Sequence, residues 1–343
     1  MLPHMLKRLI PPSIALLALA GMGEARAADD AVAVMYHRFG ESGLPSTNTT
    51  VAQIDQHIAH LKRGGFNVWP LKRIVDTIAA GGELPDRTIA LTIDDAYRSV
   101  ARVGLPKLKA AGFTATLFVA TEPVDQGLGG FMDWNDIREA VAMGFDVGAH
   151  TLTHAHLVDL PLDEVRHEIA ASNERFRQEL GQTPPLFAYP YGEASLEVRQ
   201  IVREAGYIAA FGQHSGVLHA SEDMFYLPRF ALNEKYGAIE RFRTLASAKS
   251  MRARDVTPRE MTLYGAANPP ALGFTVDPSI GSLAALACYG SGAGRLTLQE
   301  LGERRIEARL PNRLGPGRHR INCTLPAGGG RWRWFGRQFY VPN

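Results

Sequence analysis

Residues 87–99 read R-T-I-A-L-T-I-D-D-A-Y-R-S. Thr88 to Ile93 are apolar and β-branched, the composition of a buried strand, and the run ends on two adjacent carboxylates, Asp94 and Asp95. Like charges side by side at a strand end repel each other unless a cation holds one and leaves the other free as a base. The stretch predicts a strand that delivers acid to a cleft, and it implies that metal ligands lie elsewhere in the chain.

On both sides of it, short β-type runs alternate with helical periodicity. Upstream, strand 31–35 runs into Tyr36 and His37; Val51, Ile54, Ile58 and Leu61 mark a helix, 66–69 a strand, and Leu71, Ile74, Val75 and Ile78 a second helix. Downstream, strands at 114–120, 145–149, 186–189, 207–211 and 226–230 alternate with helices ending at Gly112, over 135–143, 162–180 and 196–205, and around 239–245. Strand–helix pairs with short links predict an α/β fold, a parallel sheet covered by helices and either open or closed into a barrel. Polar groups at the strand ends then converge on one face.

The chain has 343 residues, 45% hydrophobic and 21% charged, which excludes disorder and leaves room for two domains. Lys7 and Arg8, an apolar run over 14–20 and Ala25-Arg26-Ala27 read as a leader, 1–27, that sends the protein to the periplasm or outside the cell. A catalytic domain is expected over 28–250 and a linker over 251–258. Beyond them, at 259–343, glycine and proline recur, helical periodicity fades and β-type runs fall at 262–264, 282–289, 305–310, 320–325 and 331–341, a small all-β sandwich. Its Cys288 and Cys323 are the only cysteines, and in an exported protein such a pair is one disulfide, about 3–4 kcal/mol by loop closure. The net charge of +2 hides an asymmetry: 23 Lys and Arg against 29 Asp and Glu over 28–255, but 11 against 5 over 256–343.

His150-Thr151-Leu152-Thr153-His154 follows a predicted strand. If the segment turns helically, the two imidazoles share a face at the spacing a divalent metal takes from one segment. His156, two residues on, is outside that pair.

In this order, Thr92-Ile93-Asp94-Asp95, His150 to His154 and Tyr189-Pro190-Tyr191-Gly192 resemble the motifs of the polysaccharide deacetylases of the NodB-homology type, carbohydrate esterase family 4. The resemblance spans about 31–245. It implies a distorted (β/α) barrel with fewer than eight strands and hydrolysis of N-acetyl groups on sugars. By it, Asp94 is the general base, Asp95, His150 and His154 hold a divalent metal ion, and the Tyr191 backbone N–H serves the oxyanion. An Asp and two His suit zinc, with cobalt or nickel fitting the same set. Such an ion polarises the amide carbonyl and acidifies a water, and the free carboxylate takes that water's proton.

The chain departs from the common family pattern at Ala188, where many members carry Arg, and at Leu227-Pro228-Arg229, where many carry Leu-x-His. With Tyr36-His37 and Phe131-Met132-Asp133-Trp134, these departures resemble the branch that deacetylates poly-β-1,6-N-acetylglucosamine in biofilm matrices. His37 is accordingly expected to replace the missing acid, and Arg229 the missing arginine that orients Asp94. Trp134, Tyr189, Pro190 and Phe131 are candidates for sugar contact, and His214 and His219 are expected to face solvent.

Arg331-Trp332-Arg333-Trp334, after Gly328-Gly329-Gly330, reads as one arm of a hairpin with tryptophans on one face and solvated arginines on the other. A cationic product would be repelled by that basic face, whereas an acidic partner, the cell envelope or the acidic catalytic domain suits it. Nucleic acid is excluded by export and by the lack of a binding motif, and a monomer is expected. The expected partner is a polysaccharide containing N-acetylglucosamine. Chitin oligosaccharides, peptidoglycan glycan and acetylated xylan are alternative substrates, and a carbohydrate-binding protein without turnover is the alternative class.

Overall fold

The computed structural model describes residues 27–343; the expected leader, apart from Ala27, lies outside them. Six parallel strands, β1 Asp30–Tyr36, β2 Thr88–Asp94, β3 Thr116–Val119, β4 Asp146–Ala149, β5 Leu186–Ala188 and β6 Ala209–Phe211, lie side by side in the order 6-5-4-3-2-1. A seventh, β7 Phe230–Ala231, pairs with β1 through Phe230 and Val34, and Leu227 just before it bridges to Phe211 of β6. This segment touches both edges, so the sheet curls into the distorted barrel expected. Its strand is shorter than the predicted 226–230.

Helices α1 Val51–Arg63, α2 Leu71–Ala79, α3 Leu105–Ala110, α4 Trp134–Ala142, α5 Leu162–Leu180, α6 Leu196–Glu204 and α7 Ile239–Ala246 surround it. Local chemistry sets their ends: Thr50 with Gln53, and Asp133 with Asp136, form capping boxes on α1 and α4, and Gly181 at φ 77° closes α5. Alternation along the strands sorts two layers. Val32, Val34, Ile89, Leu91 and Ile93 pack outward in the larger core. Ala31, Ala33, Ala90, Ala188 and Ala209 belong to an inner cluster with Phe118, Phe211 and the apolar face of α2. Small residues suit a narrow interior, and Phe118 fills it so closely that a Cβ on Gly148 would lie 2.4 Å from its ring.

The remaining chain is a two-sheet β region. One sheet runs β8 Ala253–Thr257, β9 Ala271–Val276, β12 Arg305–Arg309, β11 Thr297–Glu300; the other is centred on β10 Ala287–Gly290, β13 Gly317–Gly328 and β14 Arg331–Val341. Phe274 and Phe335 meet between them at 4.7 Å, and Cys288 and Cys323, cross-strand partners, form the disulfide. Two expectations need correction. The stretch 251–258 is no linker, since β8 occupies most of it; its polar, exposed edge position hid the apolar alternation of a strand. The arginines of the 331–334 stretch are not solvated: Arg331 binds Asp86 at 2.9 Å and Arg333 donates to the Ser250 carbonyl, while Trp334 packs edge-on against Phe230. Arg318 on Glu193, Arg331 on Asp86 and Arg337 on Glu222 tie three of the eleven basic side chains of 256–343 to acids of the barrel, and Lys249, just before β8, binds Asp86 and Asp30.

Beside β1, the buried His57 accepts from the Tyr36 hydroxyl at 3.0 Å and donates to the Gly237 carbonyl at 2.8 Å, an arrangement that needs a neutral ring. Burial pushes its pKa down to about 4. The unfolded chain binds this proton from about pH 6.5 downward and the folded chain does not, so stability rises with pH between those values. His57→Phe is expected to flatten the pH 4–7 dependence of urea midpoints, and an unchanged slope would contradict this. Gly148→Ala should cost about 1–3 kcal/mol through overpacking against Phe118; a urea midpoint equal to that of the native chain would remove the close-packing argument.

Candidate active site

Strand register brings the candidate residues together. Tyr36 pairs with Ile93, so His37 and Asp94 follow side by side at the ends of β1 and β2; Val119 pairs with Ala149, which places His150 at the end of β4. Tyr189 follows β5, and Arg229 precedes β7 in the segment that closes the barrel.

The two adjacent carboxylates part company because the backbone turns left-handed just after Asp94: Asp95 has φ 73° and Ala96 φ 53°. Asp94, fully buried, points inward onto Arg229, which is also fully buried, in a two-pronged pair of 2.6 Å (Nη1 to Oδ1) and 2.9 Å (Nη2 to Oδ2). Arg229 also donates to the Gly212 carbonyl and the Thr92 hydroxyl, and its guanidinium lies over the Phe118 ring. Asp95 points the other way, with Oδ1 3.3 Å from His150 Nε2 and 3.2 Å from His154 Nε2.

The His150–His154 segment is a loop, not the helical turn expected. Thr151 (φ 70°) and His154 (φ 64°) are left-handed, and the Thr151 hydroxyl accepts from the His154 N–H. Beneath it, the buried Glu168 of α5 accepts from the N–H groups of Leu152 and Thr153 and the Thr153 hydroxyl. This anchor was missed, although an acid in register with Val165, Ile169, Ser172 and Phe176 on the buried stripe of α5 was a signal.

The ligand atoms of Asp95, His150 and His154 lie within 4.8 Å of one another. His150 Nδ1 donates to the Ala188 carbonyl at 2.7 Å, so a neutral ring turns an Nε2 lone pair toward Asp95. His150 Nε2 and Asp95 Oδ1 are both buried without a hydrogen-bond partner. Two acceptors facing each other require a cation between them, either a proton or a metal, and the donor set fits zinc or a neighbouring divalent ion. Where no metal intervenes, burial opposes charge on both groups, but each overcomes it through the other: Asp95 is held well below the usual carboxylate range and His150 is raised.

His37 reaches the site. Its Nδ1 is buried without a partner, and burial lowers its pKa against the opposing charges of Asp95 and Asp94. Tyr97, another residue the sequence reading missed, sits under the Arg38 guanidinium; burial, followed by the charge of Asp95, pushes its hydroxyl up to about 12. Tyr191 lies in a tight turn at φ 59°, closed by Gly192 N to Tyr189 O and Glu193 N to Pro190 O, which leaves the Tyr191 N–H unused by the turn. Its ring stacks on His156 at 3.7 Å, and His156 pairs with Glu193.

The sugar-contact candidates fare differently. Trp134 is buried, donates to Asp125 and packs edge-on against Phe176; Tyr189 is buried and donates to the Phe225 carbonyl; Pro190 is buried as well. All three side chains are buried next to the strand ends and helix start that lead into the site. Phe131 is half-buried against Tyr97. His214 is buried against Tyr226, not solvent-facing, and His219 is half-buried beside Ser221 and Asp29.

Residues 81–210 match the family model for polysaccharide deacetylase. A Bacillus subtilis protein whose name assigns it to the polysaccharide deacetylases, YxkH, is 21% identical over 57% of this chain and 69% of its own length. The poly-beta-1,6-N-acetyl-D-glucosamine N-deacetylase of Escherichia coli K12 is 23% identical over 56% of this chain, which spans only 35% of that protein. Among solved structures, the Streptococcus pyogenes deacetylase PplD in complex with acetate superimposes with TM-score 0.59 at 20% identity, covering 62% of this chain and 96% of that one. IcaB from Ammonifex degensii gives 0.57 at 24% identity, covering 64% and 98%.

Equilibrium dialysis is expected to show one divalent ion per chain, with affinity reduced at least about 10-fold in His154→Ala. Because a proton competes for the raised His150, binding should weaken as pH falls and should release protons. Native-strength binding in the variant would rule out this ligand set.

Proposed function

From the premise that this chain carries a NodB-type polysaccharide deacetylase domain, a hydrolase fold acting on carbon–nitrogen bonds other than peptide bonds, we propose that it removes N-acetyl groups from the N-acetylglucosamine units of poly-β-1,6-N-acetylglucosamine. The observation that carries this reading is the pairing of a three-ligand cation site, Asp95, His150 and His154, with a carboxylate kept away from it, Asp94 on Arg229. A bare binding module has no use for a base held apart from a metal. The substrate is supported by the similarity to the poly-beta-1,6-N-acetyl-D-glucosamine N-deacetylase of E. coli.

When bound by Asp95, His150 and His154, a divalent ion supplies polarisation of the amide carbonyl and acidification of a water. Asp94 takes that water's proton during attack; each of its oxygens retains a lone pair beyond the one given to Arg229. Arg229 aims the carboxylate through its two hydrogen bonds. The Tyr191 N–H donates to the carbonyl oxygen as negative charge develops on it. His37 delivers a proton to the departing amine, and the proton that Asp94 took from the water replaces it through solvent, so that the hydrolysis balances. Secretion fits both an extracellular polymer and the Cys288–Cys323 disulfide, a bond of oxidising compartments. Among the described residues, no helix is long and apolar enough to cross a membrane.

The test is acetate release by zinc-loaded protein from β-1,6- and β-1,4-linked N-acetylglucosamine oligomers. Release is expected to favour the β-1,6 series and to fall about 10²–10⁴-fold in Asp94→Asn. His37→Ala should lower kcat at least about 10-fold with metal content retained. Release from neither series would refute the enzyme reading, preference for β-1,4 oligomers would refute the substrate, and near-native kcat in His37→Ala would remove the acid assignment.

A further inference from the structure

The β region reaches the Tyr191 turn and the histidine loop through side chains of β13 and β14. Gln338, on β14 and 1% exposed, donates from Nε2 to the Tyr191 carbonyl at 2.9 Å. Around the same turn, Arg318 of β13 lies 5.3 Å from the Tyr191 ring centroid and 3.6 Å from Glu193, whose other oxygen binds His156, the ring stacked on Tyr191. Tyr340 of β14 donates its hydroxyl to Asp159, at the end of the loop that carries His150 and His154. Tyr226 donates to the Gly192 carbonyl from below, and Gly336 packs directly on the Ser215 carbonyl, where a Cβ would come within 2.3 Å. The hairpin therefore has no room to slide.

We propose that the β13–β14 hairpin is part of the active site and that Gln338 is a positioning residue for the Tyr191 amide. The proposal rests on the reading that this N–H receives the developing oxyanion. Its physical basis is the left-handed backbone of Tyr191, φ 59° and ψ 0°. A non-glycine residue there is strained by about 1–2 kcal/mol and stays only where its surroundings over-determine it. Pro190 fixes its own φ through its ring on one side, and the Gln338 bond fixes the carbonyl on the other. Without that bond, the φ of Tyr191 is held less firmly, and a relaxing change in φ swings the Pro190–Tyr191 peptide, whose N–H then loses its aim. A donor that must be in place before charge develops is worth most when it cannot reorganise. The barrel alone offers Tyr191 packing but no hydrogen bond to this carbonyl among the described residues.

Gln338→Met keeps the side-chain volume and removes the donor. In the full-length zinc-loaded protein, kcat for acetate release is expected to fall about 5–50-fold, less than the roughly 10²–10³-fold lost when an oxyanion donor is removed outright, with KM within twofold and metal content unchanged. Amide hydrogen exchange over 189–194 should accelerate, and this readout does not depend on activity. Native kcat with native exchange overturns the proposal, as does a fall in metal content that accounts for the lost activity. If the native protein releases no acetate while exchange still accelerates in the variant, the deacetylase reading fails and the oxyanion role of Gln338 fails with it. Should Gln338→Met not fold, Arg318→Gln, at a half-exposed position, is expected to accelerate exchange over the same segment; unchanged exchange counts against the clamp.

Discussion

The buried ion pair between Asp94 and Arg229 is the contact on which the rest of the site depends. Both side chains are fully withdrawn from water, and a buried charge left without its partner costs about 3–5 kcal/mol. The pair joins the end of β2 to the segment that bridges β1 and β6, so barrel closure and the placement of the base are one event. Both Asp94 oxygens are occupied by the guanidinium, which keeps the carboxylate from collapsing onto a cation held by its neighbour. The two adjacent acids thereby face different partners, Arg229 on one side and the two histidines on the other.

That separation needs backbone that most residues avoid. Asp95, Ala96, Thr151, His154 and Tyr191, all at the site, are five of the nine non-glycine residues with positive φ among those described. Each such residue is strained by about 1–3 kcal/mol, and the strain is offset by contacts from outside the loops: Phe118 O on the Asp95 amide, Glu168 under the histidine loop, and Gln338 on the Tyr191 turn. The site is rigid because its supports come from β3, α5 and β14, elements far apart in sequence. Three arginines of the β13–β14 hairpin, Arg318, Arg331 and Arg337, pair with acids of the barrel and dock the hairpin that carries Gln338.

Much of this was legible in the amino-acid order. The Asp94-Asp95 strand end, His150 and His154, and the alternation of strands and helices all follow from local pattern, and α5 matched its predicted span. Arg229 as the partner of Asp94 was inferred from the arginine the chain lacks at Ala188, and the geometry puts it on Asp94. What could not be read was long-range. The left-handed loop that brings His150 and His154 together depends on Glu168 rather than on its own residues. Trp134 and Tyr189 look like sugar platforms as residue types, but they are buried by neighbours more than eight residues away, Asp125 and Phe225. Strand β8 carries too little apolar alternation to announce itself, and Gln338 lies in a stretch whose only visible signal was a pair of tryptophans.

The central claim is the division of labour between the two carboxylates, and a crystal structure of the zinc-loaded protein, with anomalous diffraction at the zinc edge, tests it most directly. One anomalous peak is expected within bonding distance of Asp95, His150 Nε2 and His154 Nε2, with Asp94 still paired to Arg229 and off the ion. A peak coordinated by Asp94, or an Asp94 carboxylate released from Arg229, would contradict it.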